Sequence, residues 1–323
     1  MPFEIPHAFD ADVSLGDKYT RRHGRIYLSG IQALVRLCLV QRWRDAERGL
    51  GTAGFVSGYR GSPLGGVDLQ LERAQAELEA EGVRFTPGLN EELALTSVYG
   101  SQQVPSFEGA RHAGVFGMWY GKAPGLDRAG DALKHANAGG SSCHGGVLLV
   151  VGDDHACKSS TLPSQSELAL RDAGVPVVSP ADIQDVLDFG IWGWELSRFS
   201  GAFSGLIALA DVMDSSMTVD ADIGRVSIAL PRDFTMPEGG LGFDPARSPL
   251  EQEALLHGAR MDAIAAFARA NPIDRVVFDA PEAKLGIVTT GKAYADTRQA
   301  LQDMGIDGAR ARELGIRLYK VGL

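Results

Sequence analysis

Cysteine is scarce in this chain and never paired at short range. The 323 residues hold only Cys38, Cys143 and Cys157. No two form a C-x-x-C pair, so the usual zinc and iron–sulfur ligand spacings are missing. An odd cysteine count fits a reducing compartment, and a cytoplasmic location is expected. Long apolar runs are also missing. None reaches the roughly 18–20 residues that cross a bilayer, so no membrane-spanning segment is expected. Glu4, His7, Asp10 and Asp12 give the first residues neither the basic nor the apolar region of a signal peptide. Positive charge is in deficit: the net charge is −10 and there is no basic tail, which argues against nucleic acid as a partner. Glycine and proline, at 40 and 15 residues, are plentiful and fall mostly between apolar runs. With 45% apolar and 22% charged residues, the chain reads as globular, long enough for two domains or for one large and one partial domain.

Those apolar runs alternate between strand and helix periods. Arg25–Leu28 reads as a short strand. Ser29 then caps a helix with Ile31, Leu34, Val35, Cys38 and Leu39 at helical spacing. Gly49 and Gly51 end that helix, and Thr52–Ser57 returns as a buried strand. Helices are expected over Asp68–Glu81 and Glu92–Gln102, a strand over Gly114–Met118, and a glycine-rich loop over Tyr120–Gly130. Gly145–Val151 is the clearest strand. Pro176–Ser179 is a shorter one, Ile183–Ser197 a helix, and Gly205–Leu209 and Val226–Leu230 are apolar. Strands alternating with helices predict an α/β fold with a doubly wound, mainly parallel sheet. The loops Gly58–Pro63, Gly121–Arg128 and Asp153–Ser160 should then share the carboxyl edge, where this architecture binds ligands. Residues 232–247 read as a linker, and a helix follows over Leu250–Arg269. Lys284–Gly291, Ala293–Met304 and Ile316–Val321 read as the start of a second, incomplete α/β unit.

Several groups carry candidate chemistry. The stretch Gly58–Gly66 matches neither the P-loop nor the dinucleotide fingerprint. It admits two readings, a structural βα turn or a small-molecule contact through backbone N–H groups and the Ser62 hydroxyl. Asn90-Glu91-Glu92 opens a helix, with Asn90 as its cap. The two carboxylates either supply charge at the helix start or, for one of them, enter the apolar packing of Leu93, Ala94, Leu95 and Val98. A buried glutamate must be protonated or paired, which suits acid–base work. His112, His135, His144 and His155 fall within 44 residues, near Asp131, Asp153 and Asp154, but no pair has the i, i+4 zinc spacing. Lys122, Arg128 and Lys134 are either solvated or available to pair with carboxylates at a pocket edge.

Taken in order, these pieces resemble a known family. The order is Gly58–Pro63, then Asn90–Ala94, then Gly117–Arg128, then Gly152–Asp154 with Ser159-Ser160 and Gln165-Ser166-Glu167. It is similar to the N-terminal part of indolepyruvate:ferredoxin oxidoreductase in its long fused bacterial form, one of the thiamine-diphosphate-dependent 2-oxoacid:ferredoxin oxidoreductases. The resemblance implies an N-terminal arm over 1–13 and a pyrimidine-binding domain over 14–235. It further implies a linker and helix over 236–280 and the truncated start of a transketolase-C-like domain over 281–323. It places Glu91 at N1′ of the cofactor's aminopyrimidine as the catalytic acid. It sets Gly61 and Asn90 beside the cofactor, and Ser62 and Lys122 beside the substrate.

The implied reaction is oxidative decarboxylation of a 2-oxoacid to its acyl-coenzyme A, with electrons passed to ferredoxin. A Glu91 carboxyl with a raised pKa in a dry pocket would favour the cofactor's imino tautomer, the stronger base. The sequence departs from a whole enzyme of this kind. It has no G-D-G…N motif for the diphosphate and its Mg2+, and no cysteine motif for 4Fe–4S clusters. Residues 1–323 alone are therefore expected to be inactive, with the missing parts supplied by further sequence or another subunit, and a homodimer is expected. Arg60 stands where many relatives have proline. Two other classes stay open: a non-oxidative thiamine-diphosphate enzyme, and a non-catalytic module of the same fold.

Overall fold

A computed structural model describes residues 13–158 and 162–323. Their strands are β1 (Arg25–Ser29), β2 (Ala53–Gly58), β3 (Val83–Phe85), β4 (Val115–Lys122), β5 (Val147–Asp153), β6 (Val177–Val178), β7 (Ser204–Leu209), β8 (Ser216–Asp220), β9 (Arg275–Phe278), β10 (Leu285–Thr290) and β11 (Ile316–Val321). The helices that shape the fold and the site are α1 (Gly30–Glu47), α2 (Val67–Arg73), α3 (Gln75–Ala80), α4 (Glu91–Gln102), α5 (Ala123–Arg128), α6 (Gly130–Gly139), α7 (Glu167–Asp172), α8 (Ile183–Ser200) and α9 (Gly291–Asp303).

Six strands form one wholly parallel sheet in the order β3-β2-β4-β5-β7-β6. This is the expected doubly wound sheet. A parallel strand covered on both faces reads as a continuous apolar run, as β5 does. The strand period then divides the side chains between two cores. Met118, Tyr120, Leu148 and Val150 face α1 and α8. Trp119, Val147, Leu149 and Val151 face the layer containing α4, α6 and α7. Two aromatic rings lie opposite glycines of β2: Gly54 pairs with Phe116 and Gly58 with Tyr120. A Cβ at Gly54 would fall 2.5 Å from Phe116 Cζ, so the ring occupies the room the glycine leaves.

Helix α1 begins as its sequence predicts. Ser29 and Gln32 form a capping box, with the Gln32 N–H donating to Ser29 Oγ at 3.3 Å and the Ser29 N–H to Gln32 Oε1 at 3.0 Å. At the amino edge of the sheet α1 and α8 are joined by a buried ionic cluster. Arg198 donates to both Asp45 oxygens at 2.7 Å, to Glu195 Oε1 at 3.1 Å and to the Gly145 carbonyl at 2.9 Å. Thr52 Oγ1 donates to Asp45 Oδ2 at 2.7 Å, and Gln41 Nε2 to Oδ1 at 2.9 Å. Burial alone would lower the Arg198 pKa, but the Asp45 and Glu195 carboxylates outweigh it and hold the guanidinium above its ordinary value.

Two expectations need correction. Residues 120–130 are not a loop: β4 continues through Lys122, and α5 and α6 follow. Gly121 stays in the strand because a Cβ there would lie 2.7 Å from Trp119 Cη2, and Pro124 suits the first turn of a helix, where an N–H is dispensable. The single helix over 68–81 is two, broken at Ala74 (φ −98°, ψ 15°) with no glycine or proline to mark it. Ser216–Asp220, for which no strand was expected, pairs antiparallel with β1 outside the main sheet.

The second sheet has the order β10-β11-β9, with β11 parallel to β10 and antiparallel to β9. It docks on the first through Lys320, which pairs with buried Asp185, and through the Ser179 N–H, which donates to the Gly322 carbonyl at 2.9 Å. Among the described residues no helix is long and apolar enough to cross a membrane.

Candidate active site

The chain leaves β2 toward β3 on one side and returns to β4 on the other. The carboxyl ends of β2 and β4 therefore flank a topological switch point, where open α/β sheets bind ligands. Three segments converge there: residues 58–66 after β2, residues 86–90 before α4, and α5 after β4. The Gly88 N–H donates to the Gly58 carbonyl at 2.9 Å, tying the second segment to the root of the first.

One residue holds both ends of the 58–66 loop. The carbonyl of Tyr120 accepts the Tyr59 N–H at 3.0 Å, and its hydroxyl donates to Asp68 Oδ1, one residue into α2, at 2.5 Å. Burial, then the hydrogen bond to Asp68, push the Tyr120 pKa well above the ordinary phenol value. The ring has room only because position 58 is glycine: a Cβ there would lie 2.5 Å from Tyr120 Cδ1. Within the loop, a Cβ at Gly61 would meet Lys122 Cδ at 2.8 Å, so the lysine stem lies across Gly61. The Ser62–Pro63 bond is cis, and Pro63 rests on the end of β5, where a Cβ at Gly152 would lie 2.8 Å from its Cδ. Ser62 is half-buried. Tyr120→Phe should cost about 1.5 kcal/mol of stability, because Asp68 loses a hydrogen bond that is partly shielded from water. Calorimetric unfolding of the two proteins checks this, and an unchanged midpoint would remove Tyr120 from this role.

Across the switch point, Asn90 caps α4 by accepting the Leu93 N–H on Oδ1 at 2.9 Å. Glu91 and Glu92 then separate cleanly. Glu92 is exposed, whereas the Glu91 side chain keeps only 8% of its accessible surface. The Glu91 backbone carbonyl accepts the Trp119 indole N–H at 3.0 Å. Its carboxyl lies against Gly125, where a Cβ would fall 2.7 Å from Oε1. Arg128 Nε stands 4.0 Å from Oε2, near enough for charge attraction but too far for a hydrogen bond. Among the described residues no N–H or O–H donates to the Glu91 carboxyl, so this nearly enclosed acid has both oxygens available to a ligand.

The fold thus groups Gly61, Ser62 and Lys122 on one rim, and Asn90, Glu91 and Arg128 on the other. Lys134 does not join them; it pairs with exposed Asp172 at 2.6 Å. Asp153 is structural, accepting the Ser166 N–H at 3.0 Å and its hydroxyl at 2.6 Å, and burial raises its pKa. Ser159 and Ser160 lie outside the described residues. Among the described residues no three His, Cys, Asp or Glu side chains are grouped to hold a metal. A cavity of about 550 Å³, lined by Leu71, Leu78, Val83, Arg84 and Pro87, lies between the α2–α3 pair and β3, and Glu91 does not line it. Sequence reasoning missed Asp68, Trp119, Tyr120 and Gly125. The signal for the last three was a strand period running on past Met118 into Ala123-Pro124, a helix start.

Comparison with known proteins adds the following. Residues 274–323 match the indolepyruvate ferredoxin oxidoreductase middle domain. The indolepyruvate oxidoreductase subunit IorA of Pyrococcus abyssi is 25% identical over 315 residues, covering 94% of this chain and 43% of that subunit. The IorA subunit of Methanothermobacter marburgensis is 24% identical over 286 residues, covering 88% and 42%. The chain spans less than half the length of these curated relatives. A solved 2-oxoglutarate:ferredoxin oxidoreductase from Magnetococcus marinus, with 2-oxoglutarate, coenzyme A and succinyl-CoA bound, superposes with a TM-score of 0.68 at 18% identity. It covers 93% of this chain and 54% of its own, and the likeness shows a shared fold.

Proposed function

We infer from these likenesses that the chain belongs to the indolepyruvate:ferredoxin oxidoreductase family, and we propose that it forms the pyrimidine half of a thiamine-diphosphate site. The reaction is the oxidative decarboxylation of an aryl 2-oxoacid, indolepyruvate. The 2-oxoacid and coenzyme A yield acyl-CoA, CO₂ and a proton, and two electrons pass singly to two ferredoxins. The observation that carries this reading is Glu91, a nearly enclosed carboxyl at the switch point with neither oxygen engaged by a protein donor.

These residues fit the cofactor's pyrimidine. Glu91 would hold a proton on a carboxyl oxygen toward the ring nitrogen N1′, Asn90 fixes the helix start beneath it, and Gly61, under the Lys122 stem, would lie beside the ring. When bound, thiamine diphosphate supplies the nucleophilic carbon and the electron sink. Ser62 would donate its hydroxyl to the 2-oxoacid, and Lys122, its stem resting on Gly61, would offer its ammonium to the substrate carboxylate. Arg128 Nε stands 4.0 Å from Glu91 Oε2 and would lie beside the ring on the same rim. No residue of this chain is assigned to Mg2+ or to 4Fe–4S clusters. We place both in the remaining domains or another subunit, in a homodimeric cytoplasmic enzyme in which this chain is inactive without them.

The test is direct. The enzyme containing this chain, given thiamine diphosphate, Mg2+, coenzyme A and oxidised ferredoxin, should bleach ferredoxin absorbance with indolepyruvate faster than with 2-oxoglutarate or a branched-chain 2-oxoacid. Absence of reduction with every 2-oxoacid would refute the activity, and preference for 2-oxoglutarate would refute the substrate.

A further inference from the structure

We infer that Trp119 is a positioning residue for Glu91, holding the catalytic carboxyl in register through the backbone while Gly121 and Gly125 provide the two gaps that permit it. The inference rests on the role given to Glu91 above.

The indole nitrogen is a donor only, and Trp119 is fully buried, so its N–H must find an acceptor inside the protein. The acceptor is the carbonyl of Glu91, at 3.0 Å. That carbonyl belongs to the first residue of α4, where a helix is least constrained by its own hydrogen bonds. A carbonyl has two lone pairs, so the indole adds a bond without displacing one of the helix. It thereby limits rotation of the peptide that carries the Glu91 side chain. The nearby Asn90 cap fixes the helix start but reaches only the Leu93 N–H.

The ring can lie where it does because Gly121, two residues along the same strand face, has no side chain. A Cβ there would lie 2.7 Å from Cη2 and 2.8 Å from Cζ2. The Glu91 side chain is limited in turn by α5, because a Cβ at Gly125 would fall 2.6 Å from its Cγ and 2.7 Å from Oε1. The carboxyl therefore occupies a slot fixed by the indole through the backbone and closed by Gly125 at the side. Catalysis by a proton held on a carboxyl oxygen is sensitive to such placement, since a displacement of about 1 Å can cost on the order of 10²-fold in rate.

The experiment compares Trp119→Phe, Trp119 replaced by the isosteric β-(3-benzothienyl)alanine, and Glu91→Gln in the enzyme containing this chain. The benzothienyl group keeps the shape of the indole and removes its donor, so it reports the hydrogen bond even if the phenylalanine variant folds poorly. The readouts are the exchange of the C2 proton of bound thiamine diphosphate with deuterium, the KM for the 2-oxoacid, and the protection of the Trp119 indole N–H from solvent in the cofactor-free protein. We expect C2 exchange to slow about 10- to 100-fold in both Trp119 variants, an unchanged KM, and a protected indole N–H in the parent. Unchanged exchange in the benzothienyl variant while Glu91→Gln is slowed, or a freely exchanging indole N–H, would overturn the positioning role alone. Unchanged exchange in Glu91→Gln would overturn the role of Glu91 and the positioning role with it.

Discussion

A Glu91→Gln enzyme is expected to turn over about 10²- to 10⁴-fold more slowly than its parent, with a KM for the 2-oxoacid changed by no more than about twofold. Gln keeps the size of the side chain, so the slot beside Gly125 stays filled and the helix cap is undisturbed. What is lost is an oxygen that can hold and release a proton. Such a loss acts on the chemical step and leaves substrate binding alone, which separates kcat from KM. Glu92→Gln is the internal control: its side chain is exposed on the same helix turn, so turnover should match the parent. Steady-state kinetics on the three proteins decides the matter, and equal losses in both variants would assign the effect to helix-start charge.

Asp45→Ala should cost about 3–5 kcal/mol, enough to unfold a protein of ordinary stability near its working temperature. Asp45 is fully buried and takes both guanidinium hydrogen bonds of Arg198 at 2.7 Å, together with those of Thr52 and Gln41. Its removal strands a buried cation whose remaining partners are Glu195 and one carbonyl. The pair Asp45→Leu with Arg198→Met should recover much of that loss, since no charge is then left unpaired. Urea denaturation of the single and double variants measures both effects. A single-variant loss below about 1 kcal/mol would show that water reaches the cluster and compensates the charge. The cluster lies at the amino edge of the sheet, opposite the switch point, so it bears on folding and not on the chemistry.

Much of this architecture was readable in the residues. Apolar runs marked β2, β4, β5 and β7, and the Ser29 and Asn90 caps marked α1 and α4, because each signal is local. The choice of Glu91 over Glu92 came only from a family resemblance; in the fold the two differ plainly in burial. Tyr120 and Asp68 are 52 residues apart in sequence and meet only because β2 and β4 pair. Trp119 and Glu91 meet only because α4 crosses β4. Gly121 and Gly125 suggested a loop, since glycine more often breaks regular structure than makes room within it. The break at Ala74 has no local signature, and β9 became visible as a strand only through its pairing with β11.

The ring-and-gap pairs of the sheet carry an evolutionary consequence. Gly54 with Phe116, Gly58 with Tyr120, and Gly121 with Trp119 are each a void matched to one aromatic side chain. Neither member can drift independently: a larger residue at the glycine collides, and a smaller one at the ring leaves a hole. Descendants of this chain should therefore exchange these positions in pairs or keep them both, so packing alone constrains divergence around the switch point.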